Sequence, residues 1–353
     1  LVHASYKNII DEKVAFSFSR DCTIKSEDKE YIEKVTKVLG KDFQNKLELM
    51  AYEVSNKGIG WFHPYVDEEG IFQLMVIPSE QCIPVWQDAT HEKLNTFIRI
   101  YPEQIWVFNE MKIFEHVEVW TTDGKVTHYR IDKQNDDIMF LGDVSYPLKI
   151  DNQPYMWGSG LPFIAFKNNY RELCDLKFVK NIVDNYDLTR SEAANYIQEV
   201  KNLVYVLKGY AGDADNLQKL RAMINQERII TLDADEGDYK SSVEALSPTM
   251  DITALREHAE QLKRDIQEYS QSVNKDIDKF GNSPSGVALK FLYSGLELKA
   301  NKFEQEFSKG FDKLLMFVND FLNVPDNPNV EIIFAHDMET NLSLIHISEP
   351  TRL

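Results

Sequence analysis

What this sequence has little of narrows the field first. Only three cysteines occur in 353 residues, Cys22, Cys82 and Cys174, and they stand far apart. An odd, scattered set gives neither a disulfide framework nor a metal-binding spacing, and it fits a reducing assembly compartment. Basic residues are in deficit: 57 Asp and Glu against 39 Lys and Arg leave a net charge of −18. Tight non-specific nucleic-acid binding depends on neutralising phosphates, so this balance argues against it. It leaves room for a surface that DNA passes without sticking. There is no run of eighteen apolar residues, so no membrane-spanning helix is expected. No secretory signal is visible either.

The patterns that carry catalysis are missing too. The sequence holds no G-x-x-x-x-G-K-[ST] phosphate loop, no G-x-G-x-x-G after a strand and no H-E-x-x-H. Gly58, Gly60 and Gly70 have neither the spacing nor the helix for a phosphate cradle. The eight histidines are scattered, so no metal site is predicted, and mid-helix His258 reads as a packing residue. Asp233, Asp235 and Glu236 read as a solvated turn in preference to a cation site. No serine or cysteine has the setting of a nucleophile. The expectation is therefore no catalytic residues, no metal, no cofactor and no enzyme. The remaining enzyme alternative is a nuclease using the Asp233, Asp235 and Glu236 cluster.

With 43% apolar residues, the chain can bury a substantial core and is long enough for two or more domains. Its most informative stretch is Lys275 to Phe321. A polar segment, Gly281-Asn282-Ser283-Pro284-Ser285-Gly286, leads into a long apolar-periodic run. Ser283 before Pro284 is a good helix start, and the helix is predicted to reach about Asn323. Its apolar residues are read as Val287, Leu289, Phe291, Leu292, Leu296 and Leu298, apolar on more than one side, then Phe303, Phe307, Phe311, Leu314, Leu315, Val318 and Phe321 in regular three- and four-residue steps. Gly295 near the join is expected to permit a bend. A glycine-rich loop feeding a long helix points to a mechanical device.

In chain order, residues 5 to 20 predict a packing helix with Ile9, Ile10, Val14 and Phe16 inward. Two more amphipathic segments follow, the second from Phe43 to Lys57 with Gly58 as its stop. From Ile59 to Ile150 the pattern is that of a mostly antiparallel sheet, with hairpin turns at Asp67 to Gly70 and Thr122-Asp123-Gly124. Trp61, Trp86, Trp106 and Trp120 are read as sheet and core residues. Pro147 to Pro162 is read as a linker. Glu172 to Val200 is predicted helical. Leu203 to Tyr210 reads as a strand, Asp213 as the cap of a helix through Gln226, and Arg228 to Gly237 as a second strand. A third strand is possible near Val243, giving a small β-α-β insert. Thr253 to Asn274 is helical again, with a heptad seam of Leu255, Ala259, Leu262, Ile266, Tyr269 and Val273 expected to pack on the preceding long helix. Leu1 is not an initiator methionine, and LSLIHISEPTRL from about Leu342 resembles cloning or sequencing adaptor. Both ends are set aside from the fold reading.

Several segments resemble the portal proteins of tailed bacteriophages, best those of siphophages of Gram-positive hosts. They are SNKGIGWFHPYVDEEG (Ser55 to Gly70), VIPSEQCIPVW (Val76 to Trp86) and LPFIAFKNNYRELCDLKFVKNIVDNYD (Leu161 to Asp187). VLKGYAGD (Val206 to Asp213) and FGNSPSGVALKFLYSGLELKANKFE (Phe280 to Glu304) complete the set. The resemblance implies an α+β portal-like fold: residues 1–171 a wing, 172–200 and 251–274 two stem helices, and 201–250 a clip. It further implies a tunnel loop at 275–285 and, at 286–341, a long kinked helix returning to the wing. The helical crown that usually follows is expected to be missing, and the wing's N-terminal part is short.

By the same resemblance the chain would form a ring of about twelve copies at a capsid vertex of the virion, assembled in host cytoplasm. The ring would pass double-stranded DNA in packaging and ejection. Its other partners would be terminase, a head-completion adaptor, and capsid and scaffolding proteins, with no membrane. The implied DNA-channel residues are Lys275, Asp276, Asp278, Lys279, Gly281, Asn282, Ser283 and Ser285. Gly295 is the implied kink, and Lys208, Gly209, Tyr210 and Asp213 are the clip residues that meet partners. The loop's two lysines balance its two aspartates, which suits a wall that must not hold DNA. The competing assignment is another head–tail adaptor or a minor head morphogenesis protein.

Overall fold

The computed structural model describes residues 2–107, 110–133, 135, 137–145, 149–150, 153–154, 157–199, 204–208, 218–219, 222, 242–246, 252–273, 286–326 and 329–336. The fold is mixed helix and antiparallel sheet, in two compact units. Ala4–Lys180 with Ile266–Leu353 form the larger, and Leu1–His3 with Asn181–Asp265 the smaller.

In the larger unit, helix α1 (Ser5–Phe18) buries Ile9, Ile10, Val14 and Phe16, as its spacing predicts, and Phe18 besides. Helix α2 (Lys29–Leu39) is capped by Asp28, whose carboxylate accepts the Tyr31 N–H at 3.0 Å. Helix α3 (Phe43–Lys57) stops at Gly58, where φ is 92°. Only glycine serves there, because a Cβ would collide with the backbone carbonyl of Glu172.

Strands β2 (Ile59–Val66) and β3 (Phe72–Ile77) form the first predicted hairpin. A strand absent from the sequence reading, β11 (Ile164–Lys167), pairs antiparallel with β2 on its other side. This three-stranded sheet is covered on both faces. Phe62, Val66, Phe72, Leu74, Ile164 and Phe166 join the helical core, while Trp61, Ile77 and Ala165 join a second cluster with Phe97, Leu161 and Phe163. That second cluster is the contact with a five-stranded sheet in the order β4 (Cys82–Trp86), β5 (Leu94–Val107), β6 (Glu110–Thr121), β7 (Lys125–Asp132), β8 (Asp137–Ser145). The unit is thus helices, sheet, sheet in three layers. A short pair, β1 (Thr23–Lys25) with β14 (Glu331–Ile333), joins early and late chain, and β9 (Lys149–Ile150) with β10 (Gln153–Pro154) forms another.

Two expectations need correction here. Trp61 is buried and Trp86 and Trp120 pack beside it, but Trp106 is 73% exposed. Trp106 and its cross-strand neighbour Met111, also exposed, lie on the part of the β5–β6 ladder beyond the last β7 partner, the Glu115–Ile131 pair. The predicted linker is also more than a linker at its end. Trp157 is buried against Phe72 and Phe317, and the Ser159 N–H donates to Asp320 at 2.8 Å.

The smaller unit contains most of helix α4 (Leu176–Glu199) and of helix α5 (Ile252–Ser270), with strands β12 (Val204–Lys208) and β13 (Ser242–Leu246) paired antiparallel. The possible third strand near Val243 is therefore present, beside the first. The strand read at 228–237 lies outside the described residues, as does the helix capped by Asp213 except for residues 218, 219 and 222, which are helical. Residues 342–353 also lie outside them. On α5, Ala259, Leu262 and Ile266 are buried as the heptad reading requires, but Tyr269 is 63% exposed.

The helix after the loop, α6 (Gly286–Leu322), is continuous over 37 residues. It is about 55 Å long at the usual rise. Leu296, Ala300, Phe303, Phe307, Phe311, Leu314, Leu315 and Val318 are buried on one face. Phe291 and Leu298 are exposed, so the part of the run that reads as apolar on more than one side is not buried all round. Leu298 lies two residues from Leu296, about 200° around the helix, and so projects from the opposite side. The helix ends where Asn323 turns left-handed at φ 52°. There the Asn323 and Val324 N–H groups return to the carbonyls of Asp320 and Asn319.

Candidate functional site

Most of the residues singled out from sequence lie outside the described residues: Lys275, Asp276, Asp278, Lys279, Gly281, Asn282, Ser283 and Ser285, with Gly209, Tyr210 and Asp213. Asp233, Asp235 and Glu236 do so as well. Lys208 is the last residue of β12, opposite Ser242. His258 is exposed on α5 and does not pack. The structure describes how the chain is fastened immediately before residues 274–285, which lie outside the described residues, and along the helix that follows them.

Helix α5 stops at Ser270, four residues earlier than its heptad implies. Gln271 takes a left-handed conformation at φ 57°, its N–H donating to the Glu268 carbonyl and the Ser272 N–H to that of Gln267. This turn normally takes glycine, and a longer side chain there costs about 1 kcal/mol or more. Surrounding contacts hold it. The Val273 N–H donates to the Glu12 carboxylate at 3.1 Å, and the Lys299 ammonium donates to the Ser270 carbonyl at 3.1 Å. Val273, outside the helix, is buried with Phe16, Leu296 and Ala300. The chain at Val273 is therefore tied to α1 and α6 at once.

Beside this turn lies a buried charge cluster. Lys13, 1% exposed on the apolar face of α1, donates to Asn168 Oδ1 at 2.5 Å and to Asp175 Oδ2 at 2.9 Å. Lys299 approaches the same carboxylate oxygen at 3.3 Å, and Asn168 donates its amide to Asp175 Oδ1 at 2.9 Å. Asp175 immediately precedes α4, where the helix dipole also favours a negative charge. Burial pulls the Lys13 ammonium down to about 8, against the attraction of Asp175. Burial alone would raise Asp175, but the two ammonium groups override it and hold the carboxyl below its ordinary value. The cluster positions chain: one carboxylate joins the start of α4 to α1 and α6. Sequence reading missed it because its members are distant along the chain. The one local signal was a lysine within the apolar spacing Ile9, Ile10, Lys13, Val14.

Gly295 sits where α6 meets the turn. A Cβ there would lie 3.8 Å from the Gln271 carbonyl oxygen and 3.9 Å from its Cβ, which is ordinary contact. Gly295→Ala is therefore expected to fit and to raise stability by about 0.5–1 kcal/mol through helix propensity. Thermal unfolding checks this; a clear loss would mean that the turn presses closer than ordinary contact.

A family model described as "Phage portal protein, SPP1 Gp6-like" matches residues 1–344. A portal protein of Clostridium phage phiCD119 is 30% identical over 351 residues, covering 96% of this chain and 75% of that one. A portal protein of Bacillus phage SPP1 is 29% identical over 328 residues, covering 91% of this chain and 62% of that one. A solved chain titled "Virion of native gene transfer agent (GTA) particle" aligns over 97% of this chain and 81% of its own. Its TM-score of 0.46 and 11% identity add no weight to the assignment. On the match across its length, this chain belongs to the SPP1 Gp6-like family of phage portal proteins.

Proposed function

We propose that this chain forms a ring at one capsid vertex, with a channel for packaging and ejection of double-stranded DNA. In this reading terminase and a head-completion adaptor dock on the clip through Lys208, Gly209, Tyr210 and Asp213. Capsid and scaffolding proteins surround the ring, which assembles in host cytoplasm and ends in the virion. Residues 275–285 act as the tunnel loop, with Lys275 and Lys279 balanced by Asp276 and Asp278. Gly281, Asn282, Ser283 and Ser285 give the loop freedom to move, and Gly295 is a point at which α6 can bend. The carrying observation is the family match over residues 1–344. The anchoring at Val273 and Lys299 supports a loop whose entry is held while its interior moves. Each lasting phosphate contact would have to be broken at every step of translocation, so a neutral loop suits a conduit.

Negative-stain microscopy with light scattering on the purified chain tests assembly. Closed rings with a hole wide enough for duplex DNA are expected, and a persistent monomer overturns the ring. The double substitution Lys275→Glu with Lys279→Glu then tests the loop. Rings should persist while DNA packaging falls; rings that fail to form would remove the loop assignment.

A further inference from the structure

The five-stranded sheet carries a polar cluster that the channel reading does not use. Glu118 on β6 faces His128 on β7 across the ladder, and His116 lies two residues from Glu118 on the same face. His116 Nε2 is 2.9 Å from His128 Nδ1, and the three potential donor atoms of His116, Glu118 and His128 all lie within 4.8 Å of one another. Glu118 is 9% exposed. It accepts from the Tyr101 hydroxyl at 2.9 Å and the Trp120 indole N–H at 3.1 Å. Both donors are neutral. Among the described residues no lysine or arginine forms an ion pair with Glu118: Arg99 bonds Gln81 and lies over Tyr101, and Arg130 pairs with Glu103. Arg99 stands opposite Glu118 in the β5–β6 ladder with its guanidinium over the Tyr101 ring, so the hydrogen bonds on the buried Glu118 oxygens come from neutral groups.

We propose that His116, Glu118 and His128 form a binding site for a divalent transition-metal ion of the zinc class, stapling β6 to β7 and leaving a coordination position open. Two imidazoles and one carboxylate suit zinc or cobalt, whereas magnesium and calcium take all-oxygen sets. The outer partner is also in place. His116 Nδ1 faces Glu103 Oε2 at 3.4 Å, and Arg130 holds that carboxylate at 3.0 Å. A proton on Nδ1 directed at Glu103 leaves the Nε2 lone pair aimed into the cluster, as a ligating histidine requires. Without metal, the Nδ1–H of His128 fills that position. The metal takes its place and the proton moves to Nε2 of His128, so both rings stay neutral. Zinc–nitrogen bonds of about 2.0–2.1 Å in tetrahedral geometry set the two nitrogens slightly farther apart than they are now, which a small ring rotation allows. The sequence conceals this set because His116 and His128, twelve residues apart, meet only through strand pairing.

The test uses the whole chain after chelator treatment, titrated with Zn²⁺ by calorimetry and with Co²⁺ by visible absorbance. One equivalent should bind, with the ligand-field bands of a four- or five-coordinate cobalt ion. His128→Gln and His116→Gln should each weaken binding about 100-fold or more, and Glu103→Gln about 10–100-fold with unchanged stoichiometry. Zn²⁺ should raise the unfolding midpoint of the parent chain and not of His128→Gln. Binding that persists unchanged in a His128→Gln protein with a parental metal-free midpoint overturns the site, as does less than one equivalent in the parent.

Discussion

Asp175→Asn should lower the stability of the larger unit by about 3–5 kcal/mol, the usual cost of removing one partner from a buried ion pair. The substitution keeps the shape and leaves the ammonium groups of Lys13 and Lys299 facing a neutral amide. A pH dependence accompanies the loss. With Asp175 present, Lys13 already titrates near 8; without it the value falls further, while the unfolded chain keeps an ordinary lysine. Between that lowered value and pH 8 the unfolded variant binds more protons than the folded one, while in the parent the two states stay nearly equally protonated, so the variant alone gains stability with pH in that window. The deficit against the parent should therefore be smaller at pH 8 than at pH 6. All five tryptophans lie between Trp61 and Trp157, so urea unfolding followed by their fluorescence reports on this unit alone. A deficit under about 1 kcal/mol at pH 6, far from the cost expected of a broken buried pair, would mean that the carboxylate is not what holds the three elements together.

Gly310→Val should cost about 3 kcal/mol, and Gly310→Ala about 1–2 kcal/mol even though alanine favours helix. A Cβ at Gly310 would lie 2.7–2.8 Å from the Phe166 ring atoms, closer than real contacts allow. Phe166 is fully buried between Phe62 and Phe307, with ring centroids at 5.1 and 4.7 Å, so the ring cannot swing aside. Helix α6 would have to lift from β11. Gly310→Ala combined with Phe166→Leu should recover part of the loss, and this coupling separates crowding from a propensity effect. Additive losses in the double variant would count against the contact. Gly295→Ala in the same helix carries the opposite sign, so the pair distinguishes close packing from glycine content.

Local pattern made much of this fold legible. The Lys57–Gly58 stop, the Asp67–Gly70 turn and the three-and-four spacing from Phe303 to Val318 each appear in the structure as read. These depend on neighbours in sequence. Strand β11 escaped notice because four residues, Ile164–Lys167, carry no period to detect, and only pairing with β2 makes them a strand. The early end of α5 escaped because Tyr269 and Val273 continue the heptad. The turn at Gln271 is imposed by Glu12 and Lys299, residues far away along the chain.

By itself the sequence determined the α+β class, the long helix, and the segments that mark the portal family. Each is written in contiguous residues, through propensity, capping and periodic burial. Tertiary structure alone decided which charges are buried together, which glycine is a packing requirement, and which histidines meet. Lys13 with Asp175, Gly310 with Phe166, and His116 with His128 are juxtapositions made when helices and strands close on one another. The energies that depend on them, desolvation, overlap and coordination, act over a few ångströms of space and have no local signature along the chain.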